Sequence, residues 1–167
     1  RVIPHNDGAG VIDPVGDRVA PTRIGERAWC FGAQSYRPFG TAAEDVVVPA
    51  AQAIPMPERV AFEQGACLGI PGITAHRAVH ASGPIAGCHV LVQGGAGGVG
   101  SLAVGFARQA RGNVIATVRS SADAEAARHA GAHEPAAGDG ALTVLAPDHV
   151  HRLGGLVALR VLGAEQR

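Results

Sequence analysis

Gly95, Gly97 and Gly100 stand at the spacing G-x-G-x-x-G inside Val90-Leu91-Val92-Gln93-Gly94-Gly95-Ala96-Gly97-Gly98-Val99-Gly100. A short apolar run precedes the cluster, and the apolar-periodic segment Ser101 to Ala110 follows it. That order is the strand–turn–helix entry of a dinucleotide-binding unit. One glycine makes the tight turn, one lets backbone approach a pyrophosphate, and one lets helix and strand pack closely. The phosphates rest on free N–H groups at the helix N-terminus, where the helix dipole favours negative charge. The spacing therefore predicts nicotinamide-nucleotide chemistry, with Gly95, Ala96, Gly97, Gly98, Val99 and Gly100 lining the cofactor. Glycines often only punctuate turns, so the flanking strand and helix carry the reading as much as the glycines do.

Sites selective for NAD place Asp or Glu about 20 residues beyond the glycines to hold the ribose 2′-OH. Here the second strand ends at Thr117-Val118, and Arg119-Ser120-Ser121 follows. An acid would repel a 2′-phosphate, whereas a guanidinium pairs with one in fork geometry. A charge-assisted bond contributes about 1.5–3 kcal/mol, about 10- to 150-fold in affinity. Arg119, with Ser120 and Ser121 as further donors, predicts a preference for NADPH over NADH. The alternative is that Arg119 is simply an exposed arginine.

Alternating elements must hold these residues. From Gly87 onward the pattern reads as a strand at His89 to Gln93, a helix to about Arg111, and a second strand at Asn113 to Val118. A helix over Ala122 to Ala130 ends at Gly131, a good residue for a helix C-terminus. Strand–helix–strand–helix order implies a parallel sheet with helices on its faces. Residues Arg1 to about Pro57 read instead as β-rich, with Gly and Pro between short apolar pieces as in a small barrel. A strand is expected where Thr41 to Val48 ends in a β-branched run closed by Pro49, and a stiff extended connector at Ile54-Pro55-Met56-Pro57. Ala61 to His80 reads as two short helices interrupted near Gly69-Ile70-Pro71-Gly72, since proline breaks a helix interior. After His133 the pattern weakens, and Leu153 to Leu159 is ambiguous in type.

Composition bounds the rest. The chain has 167 residues, 47% of them hydrophobic and 17% charged, which argues against disorder. Fourteen basic and fourteen acidic side chains cancel, so there is no electrostatic case for nucleic acid or an anionic membrane. No apolar run reaches the length of a membrane span. Cys30, Cys67 and Cys88 are odd in number and form no C-x-x-C pair, and they read as reduced cytoplasmic thiols.

Several separated motifs, kept in order from Arg1 to about Gly131, carry a resemblance. They are Ile3-Pro4-His5-Asn6-Asp7-Gly8-Ala9-Gly10-Val11, Val15-Gly16, Gly25-Glu26-Arg27, Gly40-Thr41-Ala42-Ala43-Glu44, Gly72-Ile73-Thr74-Ala75 and the glycine turn. The chain resembles the medium-chain dehydrogenase/reductase superfamily, in its zinc-free NADPH:quinone oxidoreductase (zeta-crystallin-like) branch. The resemblance implies an α/β protein with a partial chaperonin-10-like β-barrel catalytic domain over residues 1–80. A truncated Rossmann NADP-binding domain follows over 81–152, then an unmatched tail over 153–167. It also implies that the chain is incomplete at both ends. Family homodimers join through a sheet edge formed later in the family sequence, so dimerisation by that route is not expected.

Zinc-dependent relatives carry His and Glu just before the Gly8-Ala9-Gly10 position, where this chain has Asn6 and Asp7. His5 is one residue out of register, and on a strand one step turns a side chain to the opposite face. No metal site is expected, because a catalytic zinc needs three convergent ligands. His149 and His151 read as solvated surface. The implied reaction is hydride transfer from NADPH to a quinone or an α,β-unsaturated carbonyl. Thr74 matches a family position near the nicotinamide and also suits a helix N-cap. Asp123 stands where the family often has a lysine for the 2′-phosphate, which weakens that contact. No general acid is evident, and no catalytic side chain is assigned. Tyr36 reads as a surface aromatic or as a cleft border, Cys67 as packing, and Trp29 as core. The competing readings are a non-catalytic remnant that at most binds nucleotide and a zinc alcohol dehydrogenase, the latter opposed by Asn6 and Asp7.

Overall fold

The computed structural model describes residues 1–137 and 157–159. The chain divides into two compact units, Arg1–Ile73 and the residues from Thr74 onward.

In the first unit, β1 (Gly8–Val11), β2 (Arg27–Cys30) and β3 (Ala53–Pro55) form one antiparallel sheet in the order β1-β2-β3. Gly8 faces Cys30 across the first pair, and Trp29 faces Ile54 across the second. The extended connector expected at Ile54-Pro55 is thus a strand. Its proline sits at the strand end, on an edge, where a missing N–H costs no ladder bond. The strand expected at Val46–Val48 does not form. β2 already has a partner on each side, and Val47 is 90% exposed. β-branched composition does not make a strand by itself; backbone pairing does, and this run pairs with neither edge of the sheet. The β-rich expectation therefore takes the form of a three-stranded sheet among the described residues.

Helix α1 (Phe62–Ala66) lies against this sheet. The Arg27 guanidinium stacks over the Phe62 ring at 4.0 Å and donates to the Val60 carbonyl at 2.6 Å. Gly65 faces the sheet without a Cβ, which would collide with Met56 Sδ. The helical stretch breaks at Cys67–Gly69, and α2 then runs Ile70–His80. Pro71 therefore lies in the first turn of α2, where its missing N–H would have had no intrahelical acceptor.

The second unit is a parallel sheet of β4 (His89–Val92), β5 (Asn113–Val118), β6 (Glu134–Ala137) and β7 (Val157–Leu159), in the order β6-β5-β4-β7. Helix α3 (Gly98–Gln109) links β4 to β5, and α4 (Ser121–Ala130) links β5 to β6. Parallel neighbours require such crossovers. Within the ambiguous Leu153–Leu159 stretch, Val157–Leu159 pairs with Val90–Val92, while the preceding residues and the His149/His151 pair lie outside the described residues.

Burial follows the helical period on α3, where Gly100, Ala103, Val104 and Ala107 face inward. On α4 the inward positions are Ala124 and Ala127. These small residues let both helices lie close to the sheet. Val90, Val92, Val104 and Val114 are fully buried in this core, together with Val79 of α2. Each contributes about 1.5–3 kcal/mol, which outweighs the cost of about 1 kcal/mol for a glycine inside α3. Helix α4 starts on a Ser120 cap, whose Oγ accepts the Asp123 N–H at 3.2 Å, and stops at Gly131 with φ 112°. Among the described residues no helix is long and apolar enough to cross a membrane.

Candidate nucleotide-binding site

The site is built where β4 hands over to α3. Gly94 takes the left-handed φ of 68° that turns the chain, so the tight turn belongs to Gly94 and not to a member of the G-x-G-x-x-G set. Gly94 N–H donates to Thr117 Oγ1 at 3.1 Å, and Gly95 N–H donates to the Thr117 carbonyl at 3.0 Å. Gly97 N–H closes back on the Gly94 carbonyl at 2.9 Å. A Cβ at Gly95 would stand 2.6 Å from Ala116 Cβ, and one at Gly100 would overlap the Gly94 carbonyl oxygen. Both glycines therefore serve close packing of turn, strand and helix.

Gly97 is the N-cap of α3 and offers no side-chain bond to the helix start. The N–H groups of Gly98, Val99 and Gly100 have no intrahelical acceptor in this first turn. A Cβ built on Gly98 meets nothing within 4 Å. Donors without an intrahelical acceptor, with open space at Gly98 and at the positive end of a twelve-residue helix, fit a pyrophosphate.

Arg119 follows the end of β5, two residues beyond Thr117, and is exposed. Its guanidinium makes no hydrogen bond or ion pair among the described residues. Ser120 caps α4 through its oxygen, which leaves its O–H free to donate, and Ser121 is the exposed first residue of that helix. Asp123 follows in the same first turn. The structure thus brings the turn residues, Thr117 and the Arg119–Ser121 corner together on consecutive elements.

Thr74 is exposed inside α2 and so is not its N-cap. No hydrogen bond joins it to the glycine turn among the described residues. Tyr36 is fully exposed in a turn, with φ 58°. Cys67 is exposed rather than packed, because the helix break carries it outward. Trp29 is half-buried: its Cβ lies on the face of the sheet that α1 covers, close to Gly65, and the residue also lines a groove of the first unit.

The Asn6-Asp7 pair has other partners than a metal. Asn6 Oδ1 accepts the Gln34 N–H at 3.2 Å, and Asp7 Oδ1 accepts the Ile70 N–H at the start of α2 at 2.9 Å. Burial raises the Asp7 carboxyl above its ordinary value, against a smaller pull downward from the Ile70 N–H. The Cys30 thiol is also raised, by burial and then by the Asp7 charge, against the Gly8 N–H. It is held protonated, the wrong state for a ligand or a nucleophile. His5 precedes β1 in a left-handed backbone, φ 75°, so strand alternation does not decide where it points. Among the described residues no three His, Cys, Asp or Glu side chains converge.

Sequence reasoning missed Thr117 as a holder of the turn. Its signal was a lone polar residue inside the apolar strand Val114-Ile115-Ala116-Thr117-Val118.

A glycine turn on helix N–H groups, at the carboxyl end of a parallel sheet, is the arrangement with which α/β units of the doubly wound class hold dinucleotides. The comparisons place it further. Over 134 residues the chain is 40% identical to the quinone oxidoreductase of Mus musculus, covering 78% of this chain and 39% of that protein. A quinone oxidoreductase structure from Pseudomonas syringae matches with a TM-score of 0.68 at 34% identity, covering 78% of this chain and 39% of the other. The quinone oxidoreductase from Thermus thermophilus, solved also as its NADPH complex, matches with a TM-score of 0.73 at 28% identity, over 96% of this chain and 48% of the other. No family model matches. The chain spans well under half the length of the curated relatives it matches. Over its matched residues it is a quinone oxidoreductase-like member of the medium-chain dehydrogenase/reductase superfamily.

Proposed function

We propose that this chain binds NADPH and belongs to a cytoplasmic, zinc-independent oxidoreductase acting on a small quinone or an α,β-unsaturated carbonyl. The observation that carries this is the start of α3, where the Gly98, Val99 and Gly100 N–H groups lack an intrahelical acceptor and Gly98 is exposed, together with the exposed Arg119 at the end of the next strand. In this reading the three N–H groups and the α3 dipole hold the pyrophosphate. Arg119 pairs with the 2′-phosphate, and Ser120 and Ser121 donate to it. The resemblance assigns Thr74, exposed on α2, to the nicotinamide end. Bound NADPH supplies the hydride, and the protein contributes position and exclusion of water. The first unit's sheet is read as part of a chaperonin-10-like barrel. Zinc independence is supported by Asn6 and Asp7 being engaged with backbone N–H groups. The cytoplasmic assignment is supported by three free cysteines.

With no side chain beside the glycine turn assigned a catalytic role among the described residues, one second reading stands, a nucleotide binder without turnover. Following NADPH absorbance with a simple quinone, with and without a chelator, separates the possibilities. Oxidation that survives chelation is expected. Binding without oxidation supports the second reading, and loss of activity on chelation overturns zinc independence.

A further inference from the structure

Thr117 is the one polar side chain buried among the described residues, at 8% exposure, on a strand whose other inward positions are Val114, Ala116 and Val118. Valine has the same shape and a higher tendency to lie in such a strand. A buried hydroxyl is unfavourable unless it is hydrogen-bonded, so packing alone does not account for it.

Its partner does. Gly94 and Gly95 present consecutive N–H groups to the two oxygens of this one residue, side chain at 3.1 Å and main chain at 3.0 Å. The Gly94 carbonyl then accepts from Gly97 and lies under Gly100. A shift of Gly94 therefore moves the start of α3. Arg119 lies two residues along the same strand end.

We propose that the Thr117 hydroxyl is a positioning group for the nucleotide. It fixes the glycine turn so that the Gly98, Val99 and Gly100 N–H groups face the pyrophosphate, in register with Arg119. This rests on the reading that the turn holds NADPH. The hydroxyl touches no ligand; it acts through Gly94. Its loss therefore affects phosphate binding at the turn and leaves recognition of the 2′-phosphate alone.

The test measures NADPH, NADH and 2′-AMP affinity of the full chain and of Thr117→Val and Thr117→Ser, with thermal melts as controls. The probe 2′-AMP carries the adenosine 2′-phosphate and lacks the pyrophosphate. Thr117→Val is expected to weaken NADPH and NADH by the same factor, about three- to tenfold, and to leave 2′-AMP unchanged. Thr117→Ser keeps the oxygen and restores binding. Unchanged NADPH affinity in Thr117→Val overturns the inference alone, as does equal loss of 2′-AMP, which marks general damage. A serine variant as weak as the valine variant also overturns it. A wild-type chain that binds no NADPH overturns the proposed function, and the inference with it.

Discussion

At the scale of single residues, the site depends on unpaired groups. Arg119 has no partner among the described residues, so its charge is available to a ligand. Desolvating a guanidinium against a phosphate gives a stronger bond than an amide gives to neutral oxygen. Arg119→Ala is expected to lower NADPH affinity by about 10- to 150-fold and to leave NADH nearly unchanged, as read by fluorescence titration. Equal effects on both cofactors would remove Arg119 from the 2′-phosphate. Asp123 sits close by in the first turn of α4, and its backbone N–H is already taken by Ser120. Its carboxylate opposes a phosphate, so the expected arginine contribution lies toward the lower end of that range. Asn6 and Asp7 make the complementary point. Their side chains could be judged from the sequence only by what they are not. The structure shows what they do, which is to satisfy the Gln34 and Ile70 N–H groups.

At the scale of elements, the parallel sheet and its helices were legible because local signals agreed with one another. Asn113–Val118 is a mainly apolar, β-branched stretch, and α4 carries both a serine cap and a terminal glycine. Val46–Val48 misled for the converse reason, since β propensity there is not matched by any backbone pairing. Glycine in α3 is a further case. Gly100 is required, because a side chain would overlap the Gly94 carbonyl. Gly105 is not, since a Cβ there would meet only the Ala130 carbonyl, at an ordinary 3.9 Å. Gly105→Ala is therefore expected to stabilise the second unit by about 0.4–1 kcal/mol, by restricting the unfolded chain. Chemical denaturation with nucleotide affinity as a control checks this. A loss of stability would show that α3 sits tighter against α4 than the structure has it.

At the scale of the whole molecule, the two units contrast. The second buries a continuous core made mostly of valine and alanine, with Ile85. The first leaves a groove of about 570 Å³, lined by Val11, Val15, Val19 and Trp29 and by the unpaired Val46–Val48 run. Val11 is 57% exposed and Val47 is 90% exposed. Exposed apolar surface of this kind binds apolar probes. The native chain is expected to enhance fluorescence of the dye anilinonaphthalene sulfonate, and Val47→Glu to reduce that signal without changing NADPH affinity. No enhancement in the wild type would mean that the groove is closed in solution.

The amino-acid order alone determined the strand–turn–helix entry, the Arg119 corner and the parallel alternation. Each depends on residues close together in the chain, where steric limits and periodicity act directly. Tertiary structure decided what distant residues do for one another. It made Gly94 the turning residue, tied it to Thr117 across 23 positions, left Val46–Val48 unpaired, and set Asp7 at the head of α2. Those outcomes depend on which donors and edges folding brings within reach. No local pattern encodes that, because a hydrogen bond is specified by both partners and the sequence writes them separately.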